Sequence, residues 1–242
     1  MEKLTAPKIT INEKSYKVSG QIGEGAFAFV FAVTEAKLIG KSEKFAVKKM
    51  ICQSEEQLQE AMNEVKVMKS ISSPFTVPLL DYEIVSAKGQ QTKEVFMLLP
   101  LCSCSLQGVI DSGGRKRDSA PIVSGISKCS IDEDDVILSI LLGAAKGLKA
   151  VHDSGHRHAD FKPANILLCP PSSDSSSYPI LGWVPLVTDF GSATPLEISV
   201  KSRSDALKAQ DYASVHTTAS FRAPELFDTP HPCIIDGRYV VV

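Results

Sequence analysis

Long hydrophobic runs are missing from this 242-residue chain. The most apolar stretch, Val136 to Val151, is interrupted by Ser139, Lys146 and Lys149 and follows the acids Asp132 to Asp135. It is too short and too broken to span a bilayer, and it reads as a buried amphipathic helix. The N-terminus, MEKLTAPKIT, has no apolar segment of a secretory signal. Glu2 stands where an acceptor glycine would be needed, which excludes N-myristoylation of the chain as it stands. Charge of one sign is also lacking: 26 basic and 28 acidic side chains leave a formal charge of -2. Nothing there steers the protein toward nucleic acid or an anionic surface. No CxxC pair occurs, and no cysteine pair is matched by spaced histidines, which argues against a zinc site. Without a secretory signal, Cys52, Cys102, Cys104, Cys129, Cys169 and Cys233 are expected as reduced thiols in the cytoplasm. No internal repeat is present.

What is present is the composition of a globular protein, 43% hydrophobic and 22% charged, with enough length to bury a core. Two strands, Tyr16 to Ile22 and Phe27 to Val33, bracket the turn Gly23-Glu24-Gly25-Ala26. A third strand runs from Lys44 to Met50. Ser54 and Gln57 fit a capping box, and Leu58, Ala61, Met62, Val65 and Met68 form an apolar helical stripe behind it. Val77 to Ile84 and Val95 to Leu99 read as further strands. Asp111 to Lys128 and Cys169 to Tyr178 read as loops from their Gly, Ser and Pro content. Between them, Ser130 and Glu133 cap a long helix that ends near His152. The pattern predicts an α+β fold: residues 1–100 form an antiparallel sheet with one helix, and residues 101–242 form a mainly helical part.

Four clusters carry chemistry. Gly23 and Gly25, two apart in a hairpin, let backbone N–H groups approach phosphate oxygens. Lys48 sits among core apolars on a strand and needs a partner or ligand; Glu64 on the following helix can supply it. In His158-Ala159-Asp160-Phe161-Lys162-Pro163-Ala164-Asn165, an aspartate can accept a hydroxyl proton, a lysine two residues on can neutralise phosphate charge, and an asparagine five on can offer oxygen to Mg²⁺. Thr188-Asp189-Phe190-Gly191 offers a second oxygen ligand for a hard cation. Each alone has a plain structural reading, as a turn, an exposed lysine or a loop cap. Their joint order does not.

That order resembles the signature set of eukaryotic protein kinases. The glycine loop matches at Gly23 to Val30, the strand lysine at Lys48, its helix partner at Glu64, and the catalytic loop at Asp160, Lys162 and Asn165. The metal-binding aspartate matches Asp189, and the APE motif is Ala223-Pro224-Glu225. Ala206 to Phe227 further resembles the Numb-associated kinase family, in the branch typified by serine/threonine kinase sixteen. That branch carries an extra helix before the APE motif, for which Ala206 to Ser214 is the candidate.

The resemblance implies a bilobal kinase fold and transfer of the γ-phosphoryl group of ATP to Ser or Thr hydroxyls of a protein substrate. Asp160 would act as base and Lys162 would stabilise the transferring group. Gly23, Gly25, Lys48 and Glu64 would handle the phosphates. Ile22, Val30, Ala46 and Leu99 would wall the adenine, with Leu99 as gatekeeper. Asn165 and Asp189 would hold Mg²⁺, and Thr218 would brace the catalytic loop. Relatives in this branch are lipid-anchored and Golgi-associated, which implies peripheral membrane association. Two other functions compete: a small-molecule kinase, which shares His158, Asp160 and Asn165 but not Lys162 or the APE motif, and a non-catalytic ATP-binding scaffold.

Three departures stand out. Ala28 replaces the third glycine of the loop, at slight cost. Ala159 replaces the arginine that pairs with a phosphate on the activation segment, so activity is expected to be independent of phosphorylation at Ser199, Ser202 or Ser204. The chain also runs only 17 residues past Glu225, short of the helices that complete a kinase. Part of Val136, Ile137, Ile140, Leu141 and Leu148 is therefore expected to face water, with poor stability or a chaperone as partner.

Overall fold

The computed structural model describes residues 7–25, 28–36, 42–86, 92–112, 134–169, 183–237 and 240–241. Six strands build the first sheet: β1 (Lys8–Ile11), β2 (Lys14–Glu24), β3 (Ala28–Glu35), β4 (Lys44–Cys52), β5 (Asp81–Ser86) and β6 (Lys93–Pro100). Their order is β1-β2-β3-β4-β6-β5, and every pairing is antiparallel. β4 lies between β3 and β6, so Lys48 is flanked by Val30 and Met97. β1 has no counterpart in the sequence reading. Its short KITI run relies on pairing with β2, which seats Ile11 and Tyr16 in a core with Val33, Val47, Phe96 and Leu98.

Helix α1 (Glu55–Ser70) starts where the serine predicts. Ser54 Oγ accepts from the Gln57 N–H, while Gln57 Oε1 accepts from the N–H of Gln53, one residue before the cap. Its buried face holds Leu58, Ala61, Val65, Val67 and Met68, and one charged residue, Glu64.

The strand expected over Val77 to Ile84 starts later, at Asp81, and runs to Ser86. Pro78 lacks the N–H that a strand interior requires, and pairing to β6 begins at Asp81. Val77 instead donates its N–H to Val187 O (2.9 Å), and Val187 donates to Phe75 O (2.8 Å).

The rest of the chain opens with β7 (Cys104–Ser105) and α2 (Leu106–Asp111), the latter capped by Ser105. The expected loop from Asp111 thus begins at a helix end; most of it, and the Ser130–Glu133 cap, lie outside the described residues. Helix α3 (Asp134–Asp153) is followed by β8 (His156–Arg157), β9 (Ile166–Cys169), β10 (Val184–Val187), β11 (Thr194–Pro195) and β12 (Glu197–Val200). Helix α4 (Arg203–His216) follows, then β13 (Cys233–Asp236) and β14 (Val240–Val241). α4 is the extra helix expected from the activation segment, extended at both ends and started by a reciprocal Ser202–Asp205 capping box.

Two expectations need correction. Ile140 does not face water: it is buried with Val109 and Leu168. The exposed large apolar side chains of α3 are Ile137, Leu138, Leu141 and Leu142 among the described residues. Nor are all cysteines reduced thiols. β7 pairs with β9 in register Cys104↔Leu168, and this brings Cys102 and Cys169 into a disulfide with Cα atoms 4.6 Å apart. Spacing along the chain gives no sign of that proximity, because the two residues are 67 apart in sequence.

Candidate active site

A cleft of ≈ 680 Å³ opens between the β2–β3 hairpin and the β7–β9 region. Ile22, Gly23, Gly25, Val30, Ala46, Lys48, Glu64, Leu99, Asn165 and Asp189 all line it. Asp160 and Lys162 lie outside this lining but bond to it through Asn165. Cys102, Ser103 and Cys104 also line the cleft. The sequence reading gave them no part in the site, and only their place in the segment joining β6 to α2 would have signalled it.

Lys48 is the electrostatic centre. Its ammonium donates to Glu64 Oε1 (2.7 Å), Glu64 Oε2 (2.8 Å) and Asp189 Oδ1 (3.2 Å). The Lys48 and Glu64 side chains are 15% and 4% exposed, against 47% for Asp189. Burial works against the Lys48 charge, yet Glu64 and Asp189 together hold its pKa above the usual lysine range. The same ammonium holds the Asp189 carboxyl below its usual range. Burial pushes the Glu64 carboxyl up, with Lys48 pulling it back.

The second group gathers around Asp160. Its Oδ1 accepts from the Thr218 N–H (2.8 Å) and its Oδ2 faces Lys162 Nζ (2.6 Å). Lys162 also donates to Thr218 Oγ1 (2.6 Å), which ties the loop between β8 and β9 to the segment after α4. Burial opposes ionisation of Asp160, but the bonds from Lys162 and Thr218 outweigh it and hold the carboxyl below its usual range. It is therefore an acceptor at neutral pH. Asn165 donates its amide N–H groups to Asp160 O (2.9 Å) and Oδ2 (3.3 Å). That orientation leaves the Asn165 side-chain oxygen as an acceptor.

His158 positions both groups. It is 1% exposed and packs against Phe161 and Phe190. Its Nδ1 accepts from the Asp160 N–H (3.3 Å), so its Nε2 carries the proton that goes to Thr188 O (2.9 Å). Burial lowers its pKa, which suits this neutral form. The sequence reading placed His158 in the loop without this role. Ala159 and Asp189 both take left-handed backbone, each at φ 66°. Arg157 does not take over the place vacated at 159: it points to Thr194 Oγ1 on β11.

The donor set suits a nucleotide and a hard cation. The apolar walls of Ile22, Val30, Ala46 and Leu99 fit a planar base, and Lys48 fits phosphate oxygens. Asn165 and Asp189 offer two oxygen ligands, the number Mg²⁺ takes when phosphates and water complete its shell. Among the described residues no cluster of three or more His, Cys, Asp or Glu forms an all-protein metal cage. No helix among them is long and apolar enough to cross a membrane.

Residues 16–233 match the sequence profile of the protein kinase domain. Serine/threonine-protein kinase 16 of Mus musculus is 30% identical over 231 residues, covering 95% of this chain and 67% of the relative. The same kinase of Homo sapiens matches at the same identity and coverage. A probable serine/threonine-protein kinase of Dictyostelium discoideum is 28% identical over 278 residues, covering 94% of this chain and 73% of its own. A sheet with a paired Lys48 and Glu64, a loop that joins Asp160 to Asn165, and these matches lead to one conclusion: the chain belongs to the protein kinase domain family.

Proposed function

We propose that this chain transfers the γ-phosphoryl group of ATP to serine or threonine hydroxyls of protein substrates. The observation that carries the reading is the meeting of Lys48, Asp189 and Asn165 at one cleft, with Asp160 hydrogen-bonded to Asn165 beside it. These residues come from β4, from the loop after β10 and from the loop between β8 and β9.

The adenine lies between Ile22, Val30, Ala46 and Leu99, and Gly23 and Gly25 face its phosphates. Lys48, oriented by Glu64, binds phosphate oxygens and exchanges its Asp189 contact for them. Asn165 and Asp189 would hold Mg²⁺, which would supply neutralisation of phosphate charge. Asp160 Oδ1 keeps a lone pair beside its Thr218 bond and accepts the substrate hydroxyl, which aligns the oxygen and receives its proton. Lys162 sits 2.6 Å from Asp160 and stabilises charge on the transferring group. The lobes meet at the segment after Pro100. The serine and threonine preference is supported by the names of the relatives, while a cytoplasmic location and peripheral Golgi association rest on the sequence resemblance to the Numb-associated kinase branch.

The test is transfer of labelled phosphate from ATP to a mixed protein substrate, with Asp160→Asn beside the parent. The variant keeps the shape of the loop and loses the base, so transfer should fall about 10²–10⁴-fold while nucleotide binding persists. Equal transfer by both would refute the assignment.

A further inference from the structure

The disulfide between Cys102 and Cys169 has no part in the phosphoryl-transfer reading, yet it lies against the cleft. Cys102 belongs to the wall that continues from β6, with Leu99, Pro100, Leu101 and Ser103. Cys169 ends β9. Side chains alternate along a strand, so Cys169 shares a face with Leu167, and both pack against the same core. Leu168, between them, turns to the opposite face and joins Val109 and Ile140. Leu167 lines the cleft, and so does Asn165, immediately before β9. The disulfide therefore ties one wall of the cleft to the strand that follows Asn165 and carries Leu167.

Among the described residues the backbone link between these parts is short. β7 and β9 pair at two positions, Cys104↔Leu168 and Ser105↔Leu167. Ser103 adds one bond, from its N–H to Leu168 O (2.9 Å). Reduction of the disulfide leaves these bonds in place and frees the part of the segment that faces the cleft. The cysteines also differ in access. Cys102 and Cys169 are half-buried. Cys52 and Cys233 are only 3% and 7% exposed, and burial pushes both of their thiols up. A closed environment and a raised pKa keep those two out of exchange. Cys102 opens on the cleft and Cys169 does not line it, so a small disulfide entering the cleft meets Cys102 first.

We propose that Cys102 and Cys169 are a reversible dithiol–disulfide pair, modified by exchange with a glutathione-type disulfide, and that the oxidised pair holds the cleft in its nucleotide-binding shape. The Cys102 thiolate attacks one sulfur of the small disulfide, whose other half leaves as a thiolate. The Cys169 thiolate then attacks Cys102 Sγ, and the second half leaves. Two protein thiols are oxidised and one small disulfide is reduced to two thiols, which take up the two protons that the cysteines lose. The ≈ 680 Å³ cleft stands open with the bond formed. The oxidised chain thus admits a nucleotide, and reduction removes a preorganised wall. Cytosolic disulfides are usually transient and redox-sensing, in keeping with the cytoplasmic location proposed above. The coupling rests on the nucleotide reading of the cleft and on no step of catalysis.

The experiment uses the full chain equilibrated in reduced or oxidised glutathione. Peptide mapping without reductant should find Cys102 joined to Cys169 in the oxidised sample alone. No such linkage, or one that reduced glutathione leaves intact, would overturn the reversible pair. A fluorescent ATP analogue with Mg²⁺ is then titrated. Reduction should raise its Kd about fivefold or more, and by linkage the analogue should shift the glutathione ratio at half-oxidation by the same factor. Cys169→Ser removes the bond without changing a cleft-lining side chain, and should bind like the reduced parent in either buffer. Cys104→Ser should keep the response, and its loss there would overturn the assignment to Cys102 and Cys169. Equal Kd in both states of the parent, or a response that persists in Cys169→Ser, would overturn the coupling and leave the nucleotide reading standing. No binding in either state would overturn both. Thermal unfolding of the same samples separates a local effect from general unfolding. The reduced chain should keep a cooperative melt, with Tm lower by about 5–15 °C. Loss of that melt would make the bond a general staple and overturn its role at the cleft.

Discussion

Replacing Lys48 with methionine should shift the pH dependence of stability toward acid. Methionine has similar length and flexibility, so the side chain still fits beside β3 and β6 while the charge is lost. Glu64, with a side chain only 4% exposed, is then left without the ammonium at 2.7 and 2.8 Å. Breaking a buried pair in this way costs about 3–5 kcal/mol. The carboxyl can escape that cost by binding a proton, so its folded pKa rises further above the unfolded value near ~4.3. A raised carboxyl pKa means that the folded state holds a proton the unfolded state has released. Stability is then highest below the unfolded pKa and falls as pH rises toward the folded one. The penalty is therefore present above the unfolded carboxyl pKa and relieved in acid. In the parent the depressed pKa of Asp189 gives stability present above the unfolded carboxyl pKa and lost in acid, and it offsets the opposite contribution of the raised Glu64 pKa; the variant loses that offset because Lys48 is what depresses Asp189. Thermal unfolding at pH 5, 6, 7 and 8 reads the difference. Lys48→Met should melt about 6–15 °C below the parent at pH 8 and much closer to it at pH 5. Adding Glu64→Gln should flatten the profile and recover stability at pH 8. Parallel profiles for parent and Lys48→Met, or no recovery in the double variant, would refute the reasoning.

Gly147→Ala would place a Cβ 2.5 Å from Phe75 O and 2.7 Å from Val187 Cγ2. The backbone oxygen cannot swing aside, so the urea midpoint should fall by the equivalent of about 1–3 kcal/mol. Ala159→Gly should raise Tm, since alanine at φ 66° is strained by about 1 kcal/mol relative to glycine; an unchanged or lower Tm would count against that strain. Ser202→Ala removes the acceptor for the Asp205 N–H and should cost about 1 kcal/mol, seen as faster amide exchange over residues 203–206 and unchanged exchange in α1.

Much of the site is legible in the sequence because its residues are close together in the chain. Asp160, Lys162 and Asn165 span one loop, and a short loop can bring them together without help from distant segments. The Lys48–Glu64 pair is legible for another reason. A lysine within a core strand and a glutamate on the buried stripe of the next helix each need a charge, and the β4–α1 connection brings them to each other. Contacts made by register between distant strands are not legible. Thr194 meets Arg157 only because β11 pairs with β8, and Cys169 meets Cys102 only through the β7–β9 pairing. The same holds for Val77, whose N–H goes to Val187 and not to a sheet neighbour. A hydrophobic run shows that a segment is buried, but not which partner its backbone will find.

That distinction bears on how the cleft is held. Asp189 keeps a left-handed backbone because both of its neighbours are fixed. Thr188 donates its N–H to Asn165 O (3.0 Å) and accepts from His158, while Phe190 is fully buried. Strain of this kind persists only where the surroundings over-determine it. The carboxylate proposed to hold Mg²⁺ is therefore aimed by a carbonyl, an imidazole and a phenyl ring that touch neither nucleotide nor metal. Asp160 depends on the same histidine through its own N–H. One neutral, buried side chain thus sets the relative placement of the two acids proposed to serve phosphoryl transfer. The precision of the site rests on that shared support as much as on the charged residues.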